Sequence, residues 1–558
     1  EPVLPPALLR ALQVLLLLGY VGDLAYRRRQ FRGPLHSRRS AWIAYGPAAA
    51  ALLLAAVFVF FRSRVVWHGV ELATAAVAAI ELWRLNVALS WRLVNPSILL
   101  PLSFAILILT GTCLLKLPVA LAPGATLSWL DSLFTITSAV CVTGLTVKST
   151  AADFSVTGQL IILLFIQLGG LGIIIFGSLF ALLLGGGMSL REVRNLSSML
   201  NDAPLRMIRT LVAFIVASTL VIEALGALAM YPLWDADIAH RQRLLMSIFH
   251  AVSAYCNAGF DLTGNSLVDY RYSLLTHAVH LPLIVIGGLG FPVLLNLARA
   301  GRHRLHSYLH PDRPRDLAAR RLTLHTKLVL LATLGVYVYG LVAIGAAQGM
   351  ATLTPLGVNI TPEAPVEGVL KWPALLADAS FFSVTARTAG FNAVPMDEVA
   401  PGSAFVLMTL MLIGGSPGGT AGGMKTTTFT LLLLAVLAAI TVRSQAEAFG
   451  RSLSDALIRR ATAIAATFLV IVSAGILVLC ITEPGASFLQ IAFEVVSAAT
   501  TTGLSLGITA DLSPVGKLVL IAEMFVGRVG AITLLSAVVF ATVREHPFRF
   551  PQENVELG

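Results

Sequence analysis

Apolar segments long enough to cross a bilayer recur along the whole chain, separated by short polar connections. They lie at 101–115, 160–184, 211–230, 281–297, 328–346, 463–479 and 518–539. A helix needs about twenty mostly apolar residues to span the hydrocarbon core. The pattern therefore predicts an all-α membrane protein with many membrane-spanning helices.

Four short stretches share one internal pattern, in which a phenylalanine precedes a Ser/Thr–Ala pair and then a glycine followed by Leu or Phe. The repeated glycines are Gly144, Gly259, Gly390 and Gly503, and the third copy is one residue shorter. We number these stretches loop 1 to loop 4. Each lies between two apolar spans, in a connection too short to cross the bilayer, which favours a short helix that enters the membrane and returns. The sequence predicts four tandem helix–pore loop–helix repeats around one pseudo-fourfold pore.

The repeats divide the chain into six parts. We predict repeat 1 at 96–190, repeat 2 at 191–310, repeat 3 at 311–445 and repeat 4 at 446–545. Residues 1–95 are expected to form an N-terminal extension of two to three transmembrane helices with no assigned transport role. Residues 546–558 are expected to form a short cytoplasmic tail.

The charge distribution favours a membrane protein over a nucleic-acid-binding one. Only 12% of the residues are charged, and the net charge is +10. The arginines cluster at 27–39, 191–209, 299–321 and 443–460, between apolar spans and not on one soluble face. Because basic loops stay on the cytoplasmic side, we predict a multi-pass protein of the cell inner (plasma) membrane. Its basic loops and its C-terminus would be cytoplasmic, and it would have no nucleic-acid partner.

Enzyme chemistry is not indicated by any motif. The four cysteines lack metal-ligand spacing, and neither an H-E-x-x-H motif nor paired intramembrane aspartates occurs. We expect no catalytic residues and no organic cofactor in this chain.

The loops have the chemistry of a filter for a bare monovalent cation. Such a filter replaces hydration water with backbone carbonyls, and glycine admits the backbone conformations that turn these carbonyls inward. No ring of acidic residues accompanies the loops, which argues against a divalent-cation channel. The predicted K+ ligands are the backbone carbonyls of a twelve-residue selectivity filter: Val142, Thr143, Gly144, Asn257, Ala258, Gly259, Thr388, Ala389, Gly390, Thr501, Thr502 and Gly503.

The short helix before each loop would aim its negative C-terminal end at the cation. A polar residue that caps the start of each such helix is therefore expected. The candidate N-caps are Asp131, Ser247, Asp378 and Ser487.

The apolar span after loop 3 is interrupted by a run of small residues at 414–423, which a continuous helix would not contain. Such a run survives inside a bilayer where it faces a wet cavity, and we interpret it as an intramembrane gate. A phosphate-binding loop is excluded because Met424 breaks the G-K-[ST] spacing. The candidate gating residues are Gly414, Gly415, Ser416, Gly418, Gly419, Thr420, Gly422, Gly423, Lys425 and Arg528.

Several ordered motifs resemble the pore-forming subunit of the Trk/Ktr/HKT potassium-uptake family, in particular its bacterial KtrB and TrkH members. They are QLGGLG at 167–172, NAGFD at 257–261, GGLGFP at 287–292, LHTK at 324–327, TARTAGF at 385–391, GGSPGGTAGGMK at 414–425 and MFVGRVG at 524–530. The resemblance runs from about residue 96 to the C-terminus and implies K+ transport with a loop below the filter that obstructs the pore. Family members with serine at the first filter glycine favour Na+, so Gly144 implies K+ selectivity.

The resemblance also implies two partners. Related subunits pair as homodimers with one pore per chain, and they bind a separate cytosolic regulatory subunit with a Rossmann-like nucleotide-binding domain (TrkA/KtrA-like). We expect both for this chain, with the regulatory subunit docking on the basic cytoplasmic loops. The gating signal and the regulatory nucleotide stay open.

The buried charges leave alternatives open. Arg528 matches a family arginine below the filter and is expected to set an electrostatic barrier to cations; Lys425 would share this role or reach to the cytoplasmic interface. Glu223 and Glu523 are intramembrane candidates for hydrogen bonding or for Na+ or H+ coupling. We also expect Arg387 to pair with Glu494. A Na+- or H+-coupled K+ symporter on the same scaffold is therefore the alternative to a K+ channel.

Overall fold

The computed structural model describes residues 96–172, 208–309, 322–353, 371–443 and 445–530. The predicted N-terminal helices of 1–95 and the predicted tail of 546–558 lie outside these residues. Within them the chain forms fourteen α-helices: α1 (Pro96–Leu115), α2 (Trp129–Cys141), α3 (Val156–Leu171), α4 (Ile208–Met230), α5 (His240–Cys256), α6 (Leu281–Leu289), α7 (Phe291–Leu309), α8 (Leu324–Leu353), α9 (Lys371–Thr385), α10 (Pro401–Leu412), α11 (Thr426–Ile440), α12 (Asp455–Thr482), α13 (Phe488–Thr500) and α14 (Pro514–Val529).

The helices fall into four groups of the same order, in which a helix is followed by a short helix, a glycine loop and another helix. The groups are α1–α2–α3, α4–α5–α6, α8–α9–α10 and α12–α13–α14. In every group the short helix packs against the helix before it and the helix after it. Each of the four glycines therefore follows a short helix and precedes a further helix in the described residues.

Contacts between the groups form a closed cycle. The short helix α5 packs against α3 of the first group, α9 against α6 of the second, α13 against α10 of the third, and α2 against α14 of the fourth. Each group thus places its last helix against the short helix of the next one.

The surface of the protein is apolar and its interior is rich in polar groups. Among the described residues, three helices are long and apolar enough to span a membrane: Leu211–Leu233, Leu324–Gly349 and Asp455–Thr482. Large side chains such as Leu228 and Ile481 on these helices are exposed, whereas hydroxyls such as Ser138 and Thr502 are fully buried. Soluble proteins rarely expose so many large apolar side chains on long apolar helices, so this chain is a membrane protein.

The helices after loops 1, 2 and 4 are shorter than the apolar pattern predicts. We expected continuous spans at 160–184, 281–297 and 518–539, but α3, α6 and α14 end at Gly172, Gly290 and Gly530, which have φ of 82°, 85° and 93°. At Gly290 the chain bends by 102° into α7. A glycine in this left-handed region ends a helix at little steric cost.

Three of the four predicted N-caps are wrong, because the short helices begin earlier than the apolar pattern indicates. Ser128 caps α2, three residues before Asp131. Ser247 and Asp378 lie inside α5 and α9. The prediction for Ser487 is confirmed, since it caps α13 in a capping box with Gln490.

A small antiparallel hairpin follows α11. Its strands are β1 (Glu447–Ala448) and β2 (Arg451–Ser452), joined by Phe449 and Gly450 at φ of 51° and 72°. Positive φ at both central residues is the turn geometry that suits a two-residue hairpin.

Candidate functional site

Each short helix ends in a loop with two residues in the left-handed region. The predicted glycines adopt it, with φ of 97° at Gly144, 68° at Gly259, 79° at Gly390 and 95° at Gly503. The residue two positions earlier adopts it as well, and the sequence analysis missed this: φ is 58° at Val142, 59° at Asn257, 72° at Thr388 and 54° at Thr501. Non-glycine residues rarely take this conformation, and its occurrence at the same position shows that the four loops share one backbone geometry. Val142, Asn257 and Thr501 are also the left-handed residues that end the preceding short helices.

The four loops meet in a closed ring. A Cβ placed on Gly144 would lie 2.6 Å from the carbonyl oxygen of Ala258 in loop 2, and one on Gly259 would lie 2.8 Å from that of Ala389 in loop 3. A Cβ on Gly390 would likewise clash with the Thr502 carbonyl of loop 4. One on Gly503 would clash with the Thr143 carbonyl of loop 1.

Every repeated glycine therefore faces the carbonyl that precedes the glycine of the next loop. No side chain fits between the loops at these positions. The loops bring four backbone carbonyls of equivalent position into one ring.

The hydroxyl of the repeated Ser/Thr–Ala pair braces each loop from behind. In loops 1 and 4 it accepts a hydrogen bond from the backbone N–H of the glycine, over 3.0 Å from Gly144 to Ser138 and 3.0 Å from Gly503 to Ser497. In loops 2 and 3 the hydroxyl instead donates to the carbonyl that follows the glycine: Ser253 to Phe260 over 2.8 Å, and Thr385 to Phe391 over 2.6 Å. The repeated hydroxyl thus fixes the backbone on which the carbonyls lie.

Three threonine hydroxyls in these loops are buried without a hydrogen-bond partner in the protein. They belong to Thr143, Thr388 and Thr501, each of which is fully buried. Buried hydroxyls are normally hydrogen-bonded. The loops thus contain unpaired hydroxyl oxygens as well as the ring of backbone carbonyls.

The 414–423 segment connects α10 and α11 and lies against the backbone of loop 2 and its outgoing helix. The Ser416 N–H donates to the Gly288 carbonyl over 2.9 Å, and the Phe291 N–H donates to the Gly418 carbonyl over 3.0 Å. The Thr420 hydroxyl donates to the carbonyl of Tyr255, near the C-terminal end of α5, over 3.2 Å.

The same segment also touches loop 4. A Cβ on Gly422 would clash with the Thr501 side chain, and one on Gly423, at a φ of 64°, would lie 3.2 Å from the Thr500 carbonyl oxygen. At both ends the segment is closed on itself by hydrogen bonds from Gly414 N–H to Met424 and from Thr426 N–H to Gly415, of 2.8 and 3.0 Å. The small residues of this run therefore serve close backbone packing below the ring.

Two basic side chains hold this segment. Arg528 donates to the carbonyl of Thr420 and to that of Gly169 at the end of α3. Lys425 turns back to the Ala421 carbonyl over 2.6 Å. The Lys425 ammonium therefore lies within the 414–423 segment.

Comparison with known proteins identifies the family. The family model "TrkH: Cation transport protein" matches residues 83–549. The potassium/sodium uptake protein NtpJ of Enterococcus hirae is 36% identical over 468 residues, which cover 83% of this chain and 97% of that protein. The Ktr system potassium uptake protein B of Bacillus subtilis is 34% identical over 470 residues, 84% of this chain and 98% of that protein.

The chain belongs to the TrkH cation transport family. The crystal structure of the potassium transporter TrkH from Vibrio parahaemolyticus shares its fold, with a TM-score of 0.59 at 18% identity over 95% of this chain and 97% of that one. The resemblance noted in the sequence is thus confirmed, and the protein is a membrane transport protein and not an enzyme. In the described ranges no group of three or more His, Cys, Asp or Glu side chains forms a metal site.

The predicted pair of Arg387 and Glu494 is absent. The guanidinium of Arg387 donates to the Thr333 carbonyl over 3.3 Å. Glu494 accepts hydrogen bonds from Ser505 and Thr509, on its own side of loop 4. Each of these two buried side chains thus forms hydrogen bonds with polar groups of its own repeat.

The two other buried carboxyl groups lie between helices. Glu223 on α4 accepts a hydrogen bond of 3.1 Å from Gln167 on α3 and lies 3.8 Å from the Cys256 sulfur. Glu523 on α14 occupies the space left by Gly475 on α12, and one of its oxygens has no partner. Both residues therefore place a carboxyl group between helices in the interior of this TrkH-family protein.

Two ion pairs connect neighbouring groups near the loops. Arg271, which follows loop 2, makes a bidentate contact with Asp378 on α9 at 2.9 and 2.5 Å. Lys517 on α14 binds Asp131 on α2 at 2.9 Å. The sequence analysis had placed both aspartates at helix starts, and the structure shows that they instead join one group to the next.

Proposed function

We propose that this protein takes up K+ by channel-like conduction along an axis surrounded by the four glycine loops. The observation that carries the proposal is the closed ring in which each repeated glycine faces the carbonyl of the next loop. A ring of backbone carbonyls replaces the hydration shell of K+ without a charged side chain. Loops 1 to 4 are then the selectivity filter, and the transported ion is the substrate.

The cyclic contacts of the four helix groups support a pseudo-fourfold axis through this ring. Each short helix packs against its own group and against the last helix of the preceding group. Its C-terminal end leads directly into a glycine loop, so that the negative ends of four helix dipoles favour a cation on the axis. This arrangement corresponds to four tandem helix–pore loop–helix repeats.

The 414–423 segment is proposed as the gate of this pore. It touches loop 2, loop 4 and, through Arg528, the end of α3. A positive guanidinium at this depth also raises the energy of a cation that approaches from below. Displacement of the segment, with loss of the contacts of Arg528 and Lys425, would open the path.

The names of the relatives agree with this proposal. Potassium uptake is printed for the Ktr protein of Bacillus subtilis, and potassium/sodium uptake for NtpJ of Enterococcus hirae. We extend K+ as the main substrate to this chain, with Na+ as a second ion.

A second candidate function is K+ symport coupled to Na+ or H+. The buried carboxyl groups of Glu223 and Glu523 favour it, since ionisable groups inside a membrane protein commonly lie on ion or proton pathways. Uptake of K+ against imposed Na+ or pH gradients distinguishes the two: a coupled carrier follows the second gradient, whereas a channel does not.

Family membership supports two partners for this chain. We propose a homodimer with one pore per chain, bound to a cytosolic nucleotide-binding subunit, since three relatives are named as proteins of a Ktr system. The protein would lie in the cell inner membrane with its basic loops facing the cytoplasm.

Rubidium-86 uptake into liposomes that contain the purified protein tests the proposal. We expect unlabelled K+ to block uptake at concentrations at which Na+ does not. Gly144→Ser should weaken this discrimination, because its Cβ would lie 2.6 Å from the Ala258 carbonyl oxygen at a φ of 97°. Gly124→Ser is a matched control, since Gly124 has a φ of 85° but no atom within 4 Å of its Cβ position. Equal inhibition by K+ and Na+ in the wild-type protein would refute the filter.

A further inference from the structure

The residue that follows the repeated phenylalanine differs in chemistry between the four repeats. It is Thr135 in α2, His250 in α5, Phe382 in α9 and Glu494 in α13. All four side chains lie behind the glycine loops and are fully or almost fully buried. Since phenylalanine fills this position in repeat 3, the fold itself does not require an acid here.

Glu494 is bound to the outer part of its own loop. One carboxyl oxygen accepts a hydrogen bond of 2.6 Å from the Ser505 hydroxyl, two residues after Gly503, and another from the Thr509 hydroxyl. The Ser505 hydroxyl oxygen also lies 2.9 Å from that of Thr509, and it accepts a hydrogen bond of 2.9 Å from the N–H of Gly507. The carboxyl group thus ties residues 505–509 to the short helix below them.

The equivalent residues make weaker contacts or none to their loops. The Thr135 hydroxyl donates to the Asp131 carbonyl within its own helix, over 2.8 Å. The Nε2 atom of His250 lies 3.5 Å from the N–H of Leu262, at the outer part of loop 2. Loop 4 therefore has the strongest tie at this position among the four loops, all of which lie in the described residues.

We propose that Glu494 is a positioning residue for ion selectivity. It holds the outer half of loop 4 against α13 and so fixes the Thr502 and Gly503 carbonyls at the distance that distinguishes K+ from Na+. The inference rests on the proposed function, because it requires loop 4 to be part of the filter.

The free-energy cost of burying the Glu494 carboxyl group favours a role for this residue in positioning loop 4. Burial of a carboxyl group is costly unless hydrogen bonds offset it, and one oxygen of Glu494 has no partner. A hydrophobic residue at this site, as in repeat 3, would avoid that cost.

The test compares Glu494→Gln and Glu494→Leu with the control Thr135→Val. Glutamine keeps an oxygen that accepts from Ser505 and Thr509, whereas leucine removes it. Thr135→Val alters the equivalent position in repeat 1 without removing any contact to loop 1. The readout is equilibrium binding of rubidium-86 to the purified full-length protein, competed by K+ or by Na+, which needs no open gate. Rubidium-86 uptake into liposomes is the second readout.

We expect Glu494→Leu to reduce the ratio of K+ to Na+ competition roughly tenfold, and Glu494→Gln and Thr135→Val to stay within about twofold of the wild type. The double variant Ser505→Ala/Thr509→Val removes the two donors at the loop and should reproduce the effect of leucine. If Glu494→Leu is not recovered as a folded protein, the K+ to Na+ ratio of this double variant tests the proposal in its place.

Two negative outcomes are distinguishable. A wild-type protein that binds rubidium with no preference for K+ over Na+ as competitor would overturn the proposed function and this inference together. A selective wild-type protein whose leucine or double variant keeps its K+ to Na+ ratio would overturn the inference alone.

Discussion

The Arg528 guanidinium binds the carbonyl of Thr420, so the last described helix holds the middle of the 414–423 segment. The same guanidinium also binds the Gly169 carbonyl at the end of α3. One side chain therefore connects the first group of helices, the fourth group and the proposed gate. Hydrogen bonds from a charged donor contribute about 1.5–3 kcal/mol each, which is enough to bias a segment between two positions.

Replacement of Arg528 by glutamine should open the gate. The variant loses the positive charge and one or both hydrogen bonds of Arg528. The 414–423 segment is then no longer held in its position below the ring. We expect basal rubidium-86 uptake into liposomes to rise about tenfold, the equivalent of roughly 1.4 kcal/mol.

Arg443→Gln is the control for this change, because Arg443 is an exposed arginine that pairs with Glu447 at 3.2 Å. It should leave uptake unchanged. Arg528→Gln with wild-type flux would contradict the role of the arginine in the gate.

The hydroxyl of Ser138 should contribute directly to selectivity. It accepts a hydrogen bond of 3.0 Å from the backbone N–H of Gly144. Ser138→Ala leaves this N–H without a partner, at a free-energy cost of about 1–3 kcal/mol. We expect the K+ to Na+ competition ratio to fall several-fold. Ser132→Ala serves as the comparison, since this buried hydroxyl of the same helix binds the Thr112 carbonyl on α1 over 2.9 Å. Equal selectivity in the two variants would show that the brace has no influence on the filter.

The sequence identified the positions of the loops because glycine is the residue that tolerates positive φ. The identical conformation of Val142 and Thr501 was not predictable in this way, since side chains with a branched Cβ normally avoid it. Equivalence between the repeats could have indicated it, because each of these residues stands two positions before a repeated glycine.

Contacts between repeats were the least predictable part of the site. Arg387 and Glu494 have opposite charges and lie near two loops, yet each binds hydroxyl or carbonyl groups within its own repeat. Asp378 was assigned to a helix start, whereas it pairs with Arg271 of the preceding repeat. Such pairs depend on the packing of helices that are distant in sequence, and a local pattern carries no information about this packing.

Asp378→Asn should destabilise the folded protein markedly. The Arg271 and Asp378 side chains are 13% and 6% exposed, and Asp378→Asn removes the carboxylate that makes the bidentate contact with this largely buried guanidinium. We expect the free energy of unfolding to fall by about 3 kcal/mol, measured as a lower Tm in detergent. Glu447→Gln breaks an ion pair whose side chains are 59% and 53% exposed and should change stability by less than about 0.5 kcal/mol. Similar Tm shifts in both variants would exclude a structural role for the buried pair.

Gly290→Ala should displace the gate from the side of loop 2. Gly290 ends α6 at a φ of 85°, in a conformation where a side chain costs about 1–3 kcal/mol, and its Cβ would lie 2.8 Å from the Pro417 carbonyl oxygen. The adjacent hydrogen bond of 3.0 Å from Phe291 N–H to Gly418 would be strained by the same shift. Since the segment can move only away from α6, we expect basal rubidium-86 uptake to rise while the K+ to Na+ ratio stays constant. Gly301→Ala is the matched control in α7, because no atom lies within 4 Å of its Cβ position. A selectivity change without a flux change in Gly290→Ala would mean that this contact supports the filter and not the gate.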